Sequence, residues 1–519
     1  MPPRPITLRS PARRAVLQRA AALGAGIGLG AGLPGCSSPG KPAPGGSDRA
    51  RIQSAAAALP ALARDLMQKT GVPGLSLAVV HRGETVLAEG FGVCRAGGSE
   101  AVDADTVFQL ASISKPVGAT VVARQVGEGR VRWDSPMREL LPWFRLGKGD
   151  THARLTVADL YAHRSGLPDH AGDDLEEMGW PQREVLERLR LQPVEPLGTH
   201  YAYTNAGLTA AALGVAARAG TGWATLSEKT LYEPLGMTRT TSRYADFMRQ
   251  GNRAVGHVRS GAGWAPGAPR NADPQSPAGG ASSSARDMAR WLALLLAQGR
   301  WQGRSLVNAE ALQAALSPQA PGGAYGYGFN VGTLGEGGPR MNSHSGAFQL
   351  GAATCFMMVP ALDAGVVVLS NSWPIGVPET LCRQFMDLAH SGRQTRDWWG
   401  AYNKAISGLV DPVGSLVGKA PPPKPVASKA LTAYAGRYRS DYFGTLQVDV
   451  VEGRALRLGL GPVPQAYPLR HWDGDDFTFQ PANESAAPGS ISLARFDVAG
   501  GSVWLEFYDT SGLGRFMRV

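Results

Sequence analysis

Cysteine is scarce in this chain: four residues in 519, at positions 36, 94, 355 and 382. None forms a Cys-x-x-Cys pair or clusters with histidine, which argues against a zinc site. Apart from Cys36, three remain. They cannot all pair, so a disulfide framework is not expected and buried free thiols are. Dense Lys/Arg runs and basic–aromatic interleaving are also missing, which argues against nucleic-acid binding. The net charge of +10 does not change this. Arg4, Arg9, Arg13, Arg14 and Arg19 lie in the first 36 positions, which hold no acid, and carry half the excess. No Gly-x-Ser-x-Gly occurs, so an α/β-hydrolase would lack its nucleophile elbow. What is present is a globular composition, 43% hydrophobic and 18% charged, on a chain too long for one compact core.

The N-terminus reads as an export signal. "RRAVLQ" (13–18) resembles a twin-arginine motif, and "AAALGAGIGLGAGLPG" (20–35) follows. That stretch is too short and too weakly apolar to span a membrane. It ends in "LPGC", similar to a lipobox, with an unusual proline at 34. Residues 1–36 are therefore expected to be a signal peptide. Cys36 is the candidate lipid attachment point and the one expected contact with a membrane. A soluble exported protein cut nearby is the alternative. Residues 37–54 read as a tether, Pro/Gly/Ser-rich over 37–48. The expected location is the periplasm.

Next, "ALPALARDLMQKTG" (57–71) has helical apolar spacing and a glycine stop. "LSLAVVHRGETVLAEGFGV" (75–93) reads as a hairpin around "HRGE". Residues 113–127 and 284–299 predict helices, 351–360 and 365–371 an antiparallel strand pair, and 376–409 helix. Strands near both ends of a long helical middle predict an α+β domain over 55–395: one antiparallel sheet with a helical lobe inserted. Residues 396–429 read as a connecting helix and a Pro-rich linker. Residues 430–519 alternate strands and turns, a small all-β sandwich or barrel.

Three short patterns carry chemistry. "FQLASISKPVG" (108–118) holds Ser112 and Lys115 at i and i+3, one turn apart on one helix face. A lysine there can take the serine proton and make it a nucleophile. Pro116 fits only near a helix start, where free N–H groups favour developing negative charge. Ser114 should point elsewhere. Alone the pattern is weak: a helix cap with a solvated lysine matches equally well, and Ser38–Lys41 repeats it in the tether. Tyr203 and Asn205, in "THYAYTNAGL" (199–208), are the chain's only Tyr-x-Asn. On an extended loop they would point the same way. The phenol could relay protons, as a base only if a cation such as Lys115 lowered its pKa from about 10. A plain turn is the bland alternative. "NSHSGAFQLG" (342–351) places His344 and Gly346 ahead of an apolar strand, and Gly346 would admit close backbone approach.

Ser-x-x-Lys, Tyr-x-Asn and His-x-Gly, in that order, resemble the class C β-lactamase-like serine hydrolases of the penicillin-binding-protein superfamily. "LTVADLYAHRSGLPDH" (155–170), "LYEPLGMTRT" (231–240), "SPAGGASSSARDMARWL" (276–292) and "YGYGFNVG" (325–332) resemble stretches of that family too. The likeness covers roughly 55–395, and 430–519 resembles an accessory domain found behind such domains. It implies that Ser112 forms an acyl-enzyme and that Lys115 and Tyr203 share the proton traffic. It implies that Asn205, His344, Gly346 and Ala347 contact substrate, with the N–H groups of Ser112 and Ala347 as oxyanion hole. It implies neither metal nor organic cofactor.

Lys69-Thr70-Gly71 spells the family's other third motif but precedes the nucleophile and reads as a helix end. His344 stands where relatives that bind penicillin carry lysine. An ester or amide hydrolase follows, of esterase or D-amino-acid peptidase type, with weak or no β-lactamase activity. A true β-lactamase, a peptidoglycan D,D-peptidase and a non-catalytic cell-wall sensor are the alternatives. Expected partners are small esters, amides or peptides, with peptidoglycan fragments among them. His163 reads as structural. Asp169, Asp173, Asp174, Glu176 and Glu177 read as a solvated loop, with substrate shaping as the alternative.

Overall fold

The computed structural model describes residues 48–147, 151–320, 323–463 and 465–519. Residues 1–36, expected to be a signal peptide, with Cys36 and the Ser38–Lys41 pattern, lie outside the described residues. So does the tether up to residue 47.

Helix α1 (Asp48–Thr70) begins earlier than its sequence pattern suggests. Ile52, Ala55, Leu59, Ala63 and Leu66 are buried at spacings of three and four, so residues 48–54 are its first turns rather than tether. Gly71 ends it at φ +68°, its N–H bonded to the Met67 carbonyl at 2.7 Å.

Six strands follow: β1 (Gly74–His81), β2 (Glu84–Gly92), β3 (Asn330–Thr333), β4 (Arg340–Phe348), β5 (Ala352–Val359) and β6 (Ala364–Ser370). They form one antiparallel sheet in the order β2-β1-β6-β5-β4-β3. The two ends of the chain segment meet at β1–β6, where Leu75 pairs with Ser370 and His81 with Ala364. Both faces are covered, so the central strands are buried along their whole length and largely apolar. Alternation divides them. Leu75, Leu77, Val79, Cys355, Met357, Val366 and Val368 pack in a core with residues of α1, α5 (Val377–Ser391) and α6 (Trp398–Ser407). Ala78, Val80, Phe356, Met358, Val367 and Leu369 join the core of the helical lobe. That lobe includes α2 (Ser114–Gly127), α3 (Asn205–Arg218) and α4 (Ala285–Leu296). The architecture is the expected α+β one.

Helix α6 belongs to this body. Tyr402 is fully buried and the Trp398 indole donates to Asp387 Oδ2 at 2.7 Å, so it is packed core and not a free connector. Cys94, Cys355 and Cys382 are free and buried.

Residues 436–518 close into an eight-stranded antiparallel barrel, β7 (Gly436–Ser440) to β14 (Arg515–Arg518). Closure joins the first strand to the last, Tyr438 opposite Arg518. The barrel rests on the acidic stretch expected to be a solvated loop, and that expectation is corrected. Tyr442 OH donates to Asp174 Oδ1 at 3.1 Å, and Ser485 Oγ to Glu177 Oε1 at 2.6 Å. Arg188 reaches the carbonyls of Asp441 and Tyr442 at 3.0 and 2.6 Å. Glu484 accepts from the Gln349 N–H, beside the end of β4. A sequence window cannot show that a domain 300 residues downstream removes these carboxyls from water.

Burial pushes Glu177 up to about 8, and Asp174 and Glu484 to about 7. Unfolded carboxyls titrate near 4. The folded protein therefore holds more protons between those values. The contact is most stable below about pH 4 for these groups and weakens as pH rises through 7 and 8. Hydrogen exchange at 173–180 and 484–487, corrected for intrinsic chemistry, should accelerate as pH rises from about 4 to 8 and level off above that. Glu177→Gln should flatten that rise.

Candidate active site

The turn before α2 positions Ser112. Residues Ala111–Ile113 form one 3₁₀ turn, and Ser114 opens α2. Ala111 stands at φ +46°, a left-handed conformation that costs a non-glycine residue about 1–2 kcal/mol. Three contacts hold it. Ser114 Oγ donates to the Ala111 carbonyl at 2.7 Å and accepts from the Ala281 N–H at 2.9 Å. Thr354 Oγ1, from β5, donates to the Leu110 carbonyl at 2.8 Å. Of the two serines in the motif, Ser114 is thus built into the turn, while the Ser112 hydroxyl faces Lys115 and Tyr203.

Lys115 is wholly buried. Its Nζ lies 2.6 Å from Asn205 Oδ1, 2.8 Å from the Ala278 carbonyl and 3.1 Å from Ser112 Oγ. It also sits 4.5 Å from the Tyr203 ring centroid. Burial drives its pKa down to about 7, while the Asp173 carboxylate raises it. Near neutral pH a large share of it is an uncharged amine. The two carbonyl oxygens can only accept, so they take its two protons, and its lone pair is left facing Ser112.

Tyr203 OH donates to Ser112 Oγ at 2.8 Å. Its pKa is raised, by burial first, so it holds its proton. The expectation of a phenol acidified by a lysine cation is reversed. Removal from water neutralises the lysine and keeps the phenol protonated.

Asn205 is the first residue of α3, not part of an extended loop. Both ends of its amide are taken up internally: Oδ1 by Lys115, and Nδ2 by Asp173 Oδ2 at 2.9 Å. His163 is fully buried and accepts the Thr204 N–H on Nδ1 at 3.2 Å, with its ring 4.5 Å from that of Tyr203. It packs the Tyr203 loop, the structural part expected of it.

Strand β4 forms the opposite wall. Alternation turns His344 and Gly346 toward the lobe. His344 Nδ1 lies 2.7 Å from the Ser345 carbonyl, which can only accept, so Nδ1 carries the proton. Nε2 then accepts from Tyr325 OH at 3.2 Å. Burial, then Lys115, lowers the His344 pKa to about 3, so the ring is neutral. Tyr325, from the "YGYGFNVG" stretch, also packs 5.1 Å from His163, linking β4 to the Tyr203 loop. Ala347, the next residue along, is exposed and pairs with Ala353.

Motif spacing revealed neither Asp173 nor Thr354. Both act through contacts between elements far apart in the chain. Among the described residues no group of His, Cys, Asp or Glu is arranged to hold a metal ion.

An α+β body with a buried lysine, a phenol and a serine hydroxyl in mutual contact has the layout of an acyl-serine hydrolase. The chain belongs to the beta-lactamase family, whose sequence profile matches residues 59–391. A domain of unknown function, DUF3471, matches residues 420–508. The chain is 26% identical over 434 residues to the unguisins hydrolase ungD of Aspergillus violaceofuscus, covering 74% of this chain and 75% of that protein. It is 26% identical over 383 residues to the esterase EstB of Burkholderia gladioli, covering 65% and 96%. Among solved structures it is similar to the octameric penicillin-binding protein homologue from Pyrococcus abyssi. The TM-score is 0.56 at 20% identity, covering 89% of this chain and 99% of that one, a likeness of fold alone. The protein is a serine hydrolase of the beta-lactamase family, with an all-β barrel behind its catalytic fold.

Gly346 offers a direct test of the geometry. A Cβ there would lie 2.2 Å from the Leu110 carbonyl, 2.4 Å from Thr354 Oγ1 and 2.9 Å from the Ser112 nitrogen. Gly346→Ala must push β4 off the nucleophile turn. Denaturant titration should show a loss of about 3 kcal/mol, and ester turnover should fall sharply.

Proposed function

We propose that Ser112 is the nucleophile of a hydrolase of uncharged esters and amides, of esterase or D-amino-acid peptidase type, with weak or no β-lactamase activity. The observation that carries this is the contact of Ser112 Oγ with both Lys115 Nζ and Tyr203 OH, opposite a neutral His344.

In this reading Ser112 Oγ bonds to the substrate carbonyl carbon as its proton passes to the Lys115 lone pair. The oxyanion is met by the N–H groups of Ser112 and Ala347, each such donor worth about 3–4 kcal/mol. Collapse expels the alcohol or amine, which takes a proton from Tyr203. Lys115 returns its proton to Tyr203, and water repeats the sequence to free the acid. Asn205 orients Lys115 with its Oδ1. The His344–Gly346 strand shapes the carbonyl pocket.

The charge at His344 guides the substrate choice. A substrate carboxylate there would meet a neutral imidazole already bonded on both nitrogens. The esterase among the relatives, and a family named for cleaving a cyclic amide, support the ester and amide classes. The twin-arginine-like and lipobox-like segments support export to the periplasm with a lipid on Cys36. No helix among the described residues is long and apolar enough to cross a membrane.

A fluorophosphonate probe and a labelled penicillin test the reading on purified protein. The phosphonate should label wild type and not Ser112→Ala, while penicillin labels weakly or not at all. Hydrolysis of a neutral p-nitrophenyl ester should rise through about pH 7 as Lys115 loses its proton. Equal labelling of Ser112→Ala, or penicillin turnover at the rate of a dedicated β-lactamase, would overturn it.

A further inference from the structure

One buried carboxylate beside the site has no part in the steps above. Asp173 opens the short helix Asp173–Glu177, and its side chain is 15% exposed. Three donors converge on it. His170 Nδ1 lies 2.7 Å from Oδ2, Asn205 Nδ2 donates to the same oxygen at 2.9 Å, and Gln275 Nε2 donates to Oδ1 at 3.1 Å. Asp173 can only accept, so it draws the NH₂ end of the Asn205 amide toward itself. That leaves Asn205 Oδ1 facing Lys115 Nζ at 2.6 Å. With the amide reversed, an N–H donor would face the lysine, and the ammonium form, which has no lone pair, could not bond to it.

We propose that Asp173 is a positioning residue that sets the proton balance of Lys115, by polarising the Asn205 amide and by its own charge, with His170 as its counter-charge. The inference rests on the reading of Lys115 as the base.

The surrounding charges are consistent with this role. His163 and His344 also face Lys115, and burial keeps both neutral. Tyr203 keeps its proton, and Asp169 is occupied by the Tyr203 N–H at 2.7 Å. On the far side Asp174 bonds to Tyr442 of the barrel and Glu176 to Arg270. Asp174 and Glu177 change charge near neutrality too, but they do so toward the barrel. In contact with Asp173 itself the titrating group is His170, whose pKa burial lowers and Asp173 raises, with a net rise. It holds φ +60°, which asparagine tolerates.

The two charges predict opposite effects. Asp173→Asn removes the charge that favours the ammonium. The neutral amine then persists to lower pH, and the acid limb of kcat/KM should move down by about one unit. His170→Asn keeps a hydrogen-bond donor for Asp173 but removes the positive charge. Lys115 should then hold its proton to higher pH, and the limb should move up. The test is the pH profile of neutral ester hydrolysis and of fluorophosphonate labelling for wild type, Asp173→Asn, His170→Asn and Ser112→Ala, with thermal unfolding of each. Opposite shifts of the two limbs support the inference. Limbs fixed to within about 0.2 unit, or a loss of rate equal at every pH, overturn it while leaving the base assignment intact. Labelling of Ser112→Ala, or a wild-type profile with no acid limb, overturns the base assignment instead.

Discussion

A primary amine taken out of water and surrounded by oxygens organises this molecule. Lys115 has no exposed surface, yet its nitrogen touches three oxygens from three parts of the chain: its own helix turn, the first residue of α3, and the turn Ser276–Gly280. Burial alone would strip the proton, and the acceptors and Asp173 restore part of its affinity. The outcome, a pKa of about 7, is set by burial against the pull of Asp173. Anything that moves one oxygen moves the balance, so the elements carrying them must stay in register.

The sheet supplies that register. Strand β5 reaches the nucleophile turn through Thr354, and β4 lies against it at Gly346, where no side chain fits. The left-handed Ala111 stores strain that Ser114 and its contact with Ala281 hold in place. Such strain persists only where the surroundings over-determine it. Here the over-determination comes from both ends of the catalytic fold, since β1 and the 330–370 strands share one sheet around the inserted lobe.

Charge around the site is unusual in what it omits. His344 is neutral and bonded on both nitrogens, and Lys115 is close to neutral. The carboxylate of Asp173 reaches Lys115 through the Asn205 amide. A short helix divides its duties here: Asp173 faces inward to Asn205, while Asp174, Glu176 and Glu177 face Arg270 and the barrel. The barrel therefore buttresses the same short helix that bonds to Asn205 through Asp173. Its loop at Glu484 also meets Gln349, just beyond the end of β4.

Much of this was legible in the residues. Continuous apolar runs marked the central strands and period-3.6 patterning several main helices, because burial on both faces or on one imposes those patterns locally. The order of Ser112–Lys115, Tyr203 and His344 marked the site, and the proline at 116 located the helix start. Where the reading failed, the cause lay beyond a local window. The direction of proton flow between Lys115 and Tyr203 depends on how much water reaches each group. The acidic stretch at 169–177 is polar in sequence but buried by a domain that begins some 260 residues later. Asn205 looked free for substrate until two partners from distant segments claimed both ends of its amide. The sequence by itself determined which groups could react and roughly where the elements run, since residue chemistry and periodicity are local. Only the tertiary structure decided which of those groups are charged, because desolvation and hydrogen-bond partners are set by packing between segments remote in the chain.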